Sequence, residues 1–459
     1  MSCLSTSPRL AMSDWYESPL ETLVTIQKGR LVETSPERLP GYEHYLGASG
    51  ILGLPDGYAS TSGAVTASEG DVLMLWDGER SGLVGHRRAG VVASTVARLR
   101  PSGHVIGSFL YYALAHQFEW IQNRRTGSGV PHVPKEIGRI LRVRFPRAIE
   151  AQRRIVAILN SLDVAIDATE ALIVKQQHIK AGLVRDLLTR GLGDGGVLRP
   201  SSIEAPDLFR QTKIGPVPAD WEHSGLQAKQ RGGEKWIRTG PFGSALKGEH
   251  WVVEGRPVIT IGSLGEGSFD EHELLFVGER DAARLAEFQL KRGDVVFSRV
   301  ADVGRSAVVR EENVGWIMSS NLMRIAVDAT QVRPDFLQML LAGDARVKAQ
   351  IRAKVNSGGR EVANSEILGQ LLFAWPPVDE QDRIVARVQA AEAPIRADQE
   401  RLRKLRMQKQ GLMHDLLTGD KSVHSIYVKD EDAQKQLLHM LNGLDQVPHA
   451  DVAPAMFSK

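Results

Sequence analysis

Two segments of about forty residues carry the helical periodicity of a coiled coil. In the first, one line of residues spaced by seven is Ile155, Leu162, Thr169, Gln176 and Leu183, and a second is Ile158, Ala165, Leu172 and Ile179. In the second segment the apolar line is Leu402, Leu405, Leu412 and Leu416, and Pro394 should kink the helix or delay its start. A helix of this length, roughly 60 Å, is not stable alone in water, so we expect each to need a partner helix.

The two helical segments are copies of one another. Gln152 falls on Gln381 at an offset of 381 − 152 = 229, and the same offset aligns RIVA at Arg154 with RIVA at Arg383. It also aligns DLLT at Asp186 with DLLT at Asp415, at the other end of the helix and without a gap. The preceding regions repeat more weakly, for example in GDV at Gly70 and at Gly293. The chain therefore has an A–B–A′–B′ plan.

The A segments alternate short β-branched runs with Gly, Pro and Asp, which predicts strands and turns. The predicted strands are Val72–Leu75, Val91–Leu99, Pro257–Ile261, Asp294–Ser298 and Ser306–Val309, and the predicted helices are Phe109–Gln122 and Pro334–Val355. We predict a mixed α/β (α+β) fold with two similar globular domains. Two long antiparallel helices separate them and form an intrachain coiled coil, with a pseudo-two-fold internal repeat. Helix pairing between two chains is the alternative.

The predicted boundaries follow this plan. Residues 1–13 form a flexible lead, with Met12 as an alternative start. The remaining segments are 14–147 (first domain), 148–191 (first long helix), 192–215 (Gly/Pro/Ser-rich linker), 216–377 (second domain), 378–419 (second long helix) and 420–459 (a tail with a short amphipathic helix).

Composition limits the class of protein. The formal net charge is +2 and there is a single cysteine, Cys3, which excludes a disulfide framework or a multi-cysteine zinc site. No apolar run approaches the ~20 residues that span a bilayer. We expect a soluble, cytoplasmic protein with several domains.

No familiar catalytic motif occurs in the sequence. GPFGSALKGE at Gly240 lacks the Lys-Ser/Thr of a phosphate-binding loop, and no glycine-rich turn fits S-adenosylmethionine. The histidines show no metal-ligand spacing. We therefore expect no catalytic residue, no metal and no cofactor in this chain.

Basic residues instead indicate nucleic acid. Between Arg124 and Arg154 there are nine Lys or Arg residues, opposed by Glu136 and Glu150. Such a run neutralises phosphates, although each residue could equally form a solvated surface or an ion pair. The candidate DNA-binding residues are Lys28, Arg30, Trp76, Arg80, Arg124, Arg125, Thr126, Ser128, Arg238, Thr239, Ser244, Lys247, Ser298, Arg299, Arg305, Asn356, Ser357 and Arg360.

The order of motifs resembles the specificity subunits of type I restriction–modification systems. In the second half it is RTGPFGSALK, GDVVFSR, NSGGREV, WPPVDEQDRIV and GLMHDLLTG, and in the first half WDGERSG, FPRAIEAQRRIVAIL and GLVRDLLTRG. The resemblance covers about Trp15 to Thr418. It implies two target-recognition domains that each read half of a split, asymmetric site in double-stranded DNA, and helices that set the gap between the half-sites.

The resemblance also implies partners. The helices would dock two methyltransferase subunits that use S-adenosylmethionine, and restriction subunits would supply ATP- and Mg²⁺-dependent cleavage. The candidate docking residues are Gln152, Ile155, Leu183, Leu187, Gln381, Ile384, Leu412 and Leu416. Open alternatives are a coiled-coil DNA-binding adaptor, a methylation-only system without a restriction subunit, and an enzyme with an unrecognised site.

Overall fold

The computed structural model describes residues 15–127, 129–232, 235–242, 245–300, 303–356 and 362–421. They form two compact units. The first unit contains the residues up to 174 together with those from 398 onwards, and the second contains residues 175–397. The predicted N-terminal lead lies outside the described residues, as does the predicted tail from residue 422 onwards.

Two sheets form the centre of the first unit, in the orders β2-β10-β7-β8 and β3-β5-β4-β9-β6, beside the pair β1-β11. Its strands are β1 (Trp15–Pro19), β2 (Val24–Lys28), β3 (Thr34–Ser35), β4 (Tyr42–Leu46), β5 (Tyr58–Ser60), β6 (Thr66–Ala67), β7 (Val72–Leu75), β8 (Val84–His86), β9 (Gly90–Val92), β10 (Val96–Pro101) and β11 (Arg142–Pro146). Its helices are α1 (Leu20–Leu23), α2 (Gly107–His116), α3 (Phe118–Gln122), α4 (Ile137–Ile140), the first part of α5 (Ile149–Thr189) and the last part of α10 (Val378–Thr418).

The second unit has sheets in the orders β15-β22-β19-β20 and β16-β18-β17-β21, beside the pairs β12-β13 and β14-β23. Its strands are β12 (Phe209–Thr212), β13 (Gly215–Pro218), β14 (Glu222–Gly225), β15 (Ile237–Thr239), β16 (Trp251–Val252), β17 (Arg256–Ile259), β18 (Leu275–Val277), β19 (Val295–Ser298), β20 (Ser306–Val308), β21 (Ile317–Met318), β22 (Leu322–Ile325) and β23 (Leu372–Trp375). Its helices include α6 (Glu279–Arg284), α7 (Pro334–Gly343), α8 (Ala345–Asn356), α9 (Ser365–Gly369) and the first part of α10 (Val378–Thr418).

The two units share one framework, down to the register of their strands. In the first four-stranded sheet Leu99 pairs with Ile26 on one side and Val72 on the other. In the second, Ile325 pairs with Ile237 and Val295. The neighbouring sheets repeat as well, because β4 runs parallel to β9 as β17 does to β21. The predicted mixed α/β fold with an internal repeat is confirmed.

The central strands are apolar throughout because both of their faces are buried. On β7, Val72 and Met74 pack in the core that contains Phe109 of α2, whereas Leu73 and Leu75 pack in the core beneath the five-stranded sheet. Successive side chains of a strand point to opposite faces, so this one strand joins the two cores of the unit. The corresponding strand β19 is likewise buried at all four positions.

The long helices pair antiparallel within the chain. In the first unit Asp163 of α5 forms an ion pair with Lys409 of α10, and Glu170 forms one with Arg406 at 2.6 Å. In the second unit Lys180 pairs with Glu392 at 2.6 Å. The partner numbers on α10 fall as those on α5 rise, which confirms the antiparallel arrangement.

One of the two predicted core lines of α5 is correct at Ile158, which is buried, but wrong at its later positions. Leu172 and Ile179 are 41% and 60% exposed, whereas Ile166 and Ile173 are 9% and 7% exposed. From Ile166 onwards the second buried line therefore lies one residue later than predicted. Positions three and four residues along a helix lie on the same side, so spacing alone does not choose between the two lines. In the second long helix, Pro394 does not delay the start, because α10 begins at Val378 and Pro394 lies inside it.

Candidate nucleic-acid interface

Two of the predicted DNA-binding segments lie side by side in the first unit. The turn after β7 is held against the segment around residue 132, because Val133 N donates to Trp76 O at 2.9 Å and Gly78 N donates to Pro131 O at 2.8 Å. Thr126 and His132 exchange two backbone hydrogen bonds, of 3.0 and 2.9 Å. The candidates Trp76, Arg80, Arg124, Arg125 and Thr126 are thus brought together by backbone contacts.

Side chains extend this cluster to the end of β2. Lys28 Nζ lies 2.7 Å from Asp77 Oδ2 in the same turn. Arg30 is exposed, and its guanidinium donates to Gly63 O at 3.4 Å. The surface therefore carries cations from three separate stretches of sequence.

The arginines of this cluster differ in what they already bind. Arg125 donates to Gln122 O and Glu79 O, which fastens its helix end to the turn. Arg124 stacks on Trp120 with its guanidinium carbon 3.9 Å from the ring centroid. Arg80 is exposed, and its guanidinium forms no hydrogen bond or ion pair with any described residue, so its five donors are available to a ligand.

Arg299 of the second unit occupies the backbone position that Trp76 occupies in the first. Trp76 N donates to Thr95 O at 2.7 Å, and Arg299 N donates to Asn321 O at 3.1 Å. Each residue's carbonyl also accepts a backbone hydrogen bond, from Val133 or from Ala363 at 2.8 Å. The same position of the framework thus carries an indole in one unit and a guanidinium in the other.

The guanidinium of Arg299 is already partly engaged. It donates to Ala363 O at 3.3 Å and to Ser320 O at 3.4 Å, and it lies 5.4 Å from the ring centroid of Phe242. Burial lowers the pKa of Arg299 below the usual arginine value. Phe242 itself is 63% exposed. Arg299 therefore supports an exposed aromatic side chain.

The other described candidates of the second unit are also bonded within it. Arg238 forms an ion pair with Glu287, and Arg305 donates to Leu264 O at 3.0 Å. Ser298 is buried, and its hydroxyl donates to Val300 O at 2.8 Å.

The remaining candidates are placed as follows. Thr239 lies in β15. Lys247 N donates to His250 Nδ1 at 2.9 Å, and Lys247 O accepts from His250 N at 3.0 Å. Ser128, Ser244, Ser357 and Arg360 lie outside the described residues, as does the side chain of Asn356.

A histidine that the sequence did not single out lies at the end of β8, opposite Val72 of β7. The His86 ring stacks on Tyr111 with centroids 4.0 Å apart. Burial, and then the charges of Arg87 and Arg88, lower the pKa of His86 to about 4. His86 is therefore neutral near pH 7. A single histidine without a metal spacing gives no signal in the sequence.

The candidate docking residues lie inside the units. Gln152, Ile155, Leu187, Gln381, Ile384 and Leu416 are each at most 2% exposed. Leu183 and Leu412 are partly buried against the same cores. These eight residues hold each unit together, so a partner that docks on the helices would contact their other faces.

Two further findings concern only the described residues. Among them, no group of three His, Cys, Asp or Glu side chains could hold a metal ion. None of the helices described is long and apolar enough to cross a membrane.

Comparison with known proteins gives consistent matches. Residues 12–176 match the family model of the type I restriction modification DNA specificity domain. The chain is 23% identical over 417 residues to the type I restriction enzyme MjaVIII specificity subunit of Methanocaldococcus jannaschii, covering 88% of this chain and 92% of that one.

Solved structures show the same fold. The S subunit of a type I restriction–modification system from M. genitalium aligns with a TM-score of 0.56 at 16% identity, over 89% of this chain and 98% of that chain. A chain from a study of complex assembly and conformational transition of the type I R-M system aligns with a TM-score of 0.53 at 16% identity, over 90% of this chain and 100% of that chain.

Proposed function

Because the chain belongs to the family of type I restriction–modification specificity subunits, we propose that it binds a bipartite, asymmetric site in double-stranded DNA. Each unit reads one half of the site. The observation that carries this proposal is the duplicated framework with different side chains at matching positions, such as Trp76 and Arg299. Two similar readers with different surface chemistry suit two half-sites of different sequence.

The cluster of the first unit has the chemistry for both kinds of DNA contact. Lys28 and Arg30 supply charge for phosphates, which position a protein on the duplex. Arg80, whose guanidinium has no hydrogen-bond or ion-pair partner among the described residues, has the donor geometry for the O6 and N7 atoms of guanine. Arg125 and Arg299 serve as positioning residues, because their guanidinium groups hold the loops that present the others.

We propose that catalysis belongs to partner subunits. The chain would dock two methyltransferase subunits that bring S-adenosylmethionine, and restriction subunits that use ATP and Mg²⁺ where the system includes them. The adaptor alternative requires the long helices to pair between chains, and here they pair within one chain. The purified chain should accordingly neither methylate nor cleave DNA when S-adenosylmethionine, Mg²⁺ and ATP are added, and turnover above background would refute the division of labour.

The decisive experiment is selection of bound sequences from a random duplex library by the full-length chain. We expect one motif with two specified halves and an unspecified gap. Replacing residues 15–145 with the matching segment of a relative should change one half, while the half read by residues 216–375 stays the same. If both halves change together, or if neither does, the two units do not read DNA independently.

A further inference from the structure

Gly29 and Gly240 occupy equivalent positions at the ends of β2 and β15. Gly29 N donates to Val96 O at 2.9 Å, and Gly240 N donates to Leu322 O at 3.1 Å. A Cβ atom on either glycine would lie 2.1 Å from Ala93 O or 2.0 Å from Ser319 O, closer than any side chain can approach. The strand must therefore end on a glycine in both units, pressed against the backbone of the neighbouring sheet.

Two residues after this glycine, each unit exposes a large apolar side chain. Leu31 is 92% exposed and Phe242 is 63% exposed. A single exposed apolar residue needs no explanation. Here the same position of a duplicated framework is exposed and apolar in two segments, QKGRL and RTGPF, that share no other residue than the glycine. The position is apolar in both units although the residues around it differ.

The surroundings of both side chains are basic. Leu31 follows Arg30 directly and lies three residues after Lys28, whose ammonium group contacts the turn that carries Arg80. Phe242 lies over the guanidinium of Arg299. An apolar side chain flanked by cations is unsuited to a protein core but suits a duplex, whose phosphates attract the cations while its bases offer apolar surface.

We propose that Leu31 and Phe242 are specificity-determining residues that pack against DNA bases, one in each half of the site. The proposal rests on the proposed function and assigns the residues that read the bases. Apolar side chains read DNA by contacting the C5-methyl group of thymine or by wedging between base pairs, which bends the duplex. Both contacts remove the side chain from water, which favours binding only where the matching base step is present.

The test uses Leu31→Ala and Phe242→Ala in the full-length chain, with selection from a random duplex library. Leu39→Ala and Val253→Ala are the controls, since these residues are also exposed, at 43% and 92%, but do not follow the glycine that ends β2 or β15. We expect each test variant to lose sequence preference in its own half of the motif. We expect affinity for the wild-type motif to fall about ten-fold, equal to about 1.4 kcal/mol, with non-specific binding and the melting temperature unchanged. The controls should retain both halves.

Further measurements identify the type of contact. If wild-type affinity falls when thymine is replaced by uracil in the motif, the side chain contacts the methyl group. If the wild-type protein bends the duplex and the alanine variant does not, the side chain acts as a wedge. Test variants that select the complete wild-type motif with wild-type affinity would overturn the proposal. A wild-type chain that enriches no motif would instead refute the proposed function, and this inference with it.

Discussion

Gln152 and Gln381 make the same three hydrogen bonds in two different units. Gln152 Oε1 accepts from Ile106 N at 2.9 Å, and its Nε2 donates to His104 O and Pro146 O, both at 2.9 Å. Gln381 Oε1 accepts from Arg333 N at 2.8 Å, and its Nε2 donates to Gln331 O and Pro376 O at 3.0 and 2.9 Å. Each amide joins the start of a long helix to the globular part of its unit.

Replacing either glutamine should destabilise its unit. In Gln152→Ala or Gln381→Ala the buried backbone groups lose their partners, which should lower the free energy of unfolding by about 2–4 kcal/mol. Urea denaturation measures this change. Gln177→Ala, at an exposed position of the same helix as Gln152, should change stability by less than about 0.5 kcal/mol. Equal effects of the buried and the exposed substitutions would contradict the assigned role.

Among the acidic residues at the start of α10, we expect Glu380 to contribute most to the stability of the folded chain. Its buried carboxylate accepts hydrogen bonds from Leu192 N, Trp221 Nε1 and both terminal nitrogens of Arg199, at 2.6–3.2 Å. Glu380→Ala should cost about 3–5 kcal/mol because it leaves the Arg199 charge poorly compensated.

The same substitution should make residues 192–215 sensitive to proteases, because Leu192 and Arg199 lose their contact with α10. Limited proteolysis followed by mass spectrometry identifies the cut sites. The control is Asp382→Ala, whose ion pair with Arg333 is exposed and worth about 0.2–1 kcal/mol. Cleavage elsewhere but not in this stretch would mean that Glu380 does not secure it.

His86 should make the first unit less stable in mild acid. Its pKa is about 4 in the folded chain against 6.5 for the free side chain, so the unfolded chain binds the proton more readily between these values. The stability from the neutral ring is complete above pH 6.5 and declines as the pH falls towards 4, by at most about 3 kcal/mol.

The measurement is the melting temperature between pH 7.5 and 4.5. His86→Phe preserves the stacking on Tyr111 and cannot be protonated, so it should flatten the profile. His104→Phe, at an exposed position, should leave the profile as in the wild type. A His86→Phe profile as steep as that of the wild type would show that other groups cause the acid sensitivity.

Arg80 and Arg299 should separate DNA recognition from stability. Arg80→Ala removes no side-chain hydrogen bond or ion pair with a described residue, so the melting temperature should stay constant while DNA binding weakens by roughly 1–3 kcal/mol. Loss of preference at one base position would indicate base contact, and uniform weakening with a flatter salt dependence would indicate phosphate contact. Arg299→Ala removes two hydrogen bonds to carbonyls and should also lower stability, by about 1–3 kcal/mol. If Arg80→Ala lowers stability and Arg299→Ala affects DNA binding alone, Arg80 is the positioning residue and Arg299 the DNA contact.

The arrangement of the domains and long helices was predictable from the sequence because the same motifs occur twice. The repeated ends of the long helices predict both their pairing and the duplication, since an ungapped match leaves little freedom. The predicted strand Val91–Leu99 is instead two strands, β9 and β10, in different sheets. The sequence did not reveal the break because the residues of the turn between them are ones that a single strand would also accept. Likewise, the predicted helix Phe109–Gln122 is divided at Gln117 into α2 and α3.

The site was less predictable than the fold, for a physical reason. An arginine in a loop has the same appearance in the sequence whether it is exposed, as Arg80 is, or bonded to carbonyls, as Arg305 is. The carbonyl groups that bind such an arginine belong to distant segments of the chain, as Leu264 O does for Arg305. Leu31 gave no signal because only the superposed strand registers reveal its equivalence to Phe242.

The backbone anchoring of Trp76 and Arg299 has a consequence for how such a protein changes over time. Both positions are fixed by hydrogen bonds between main-chain atoms, and main-chain groups are the same for nearly every amino acid. The side chain can therefore be exchanged by mutation while its point of attachment stays in register. Under the proposed function, a substitution at either position changes the surface offered to DNA without moving the strand end that carries it.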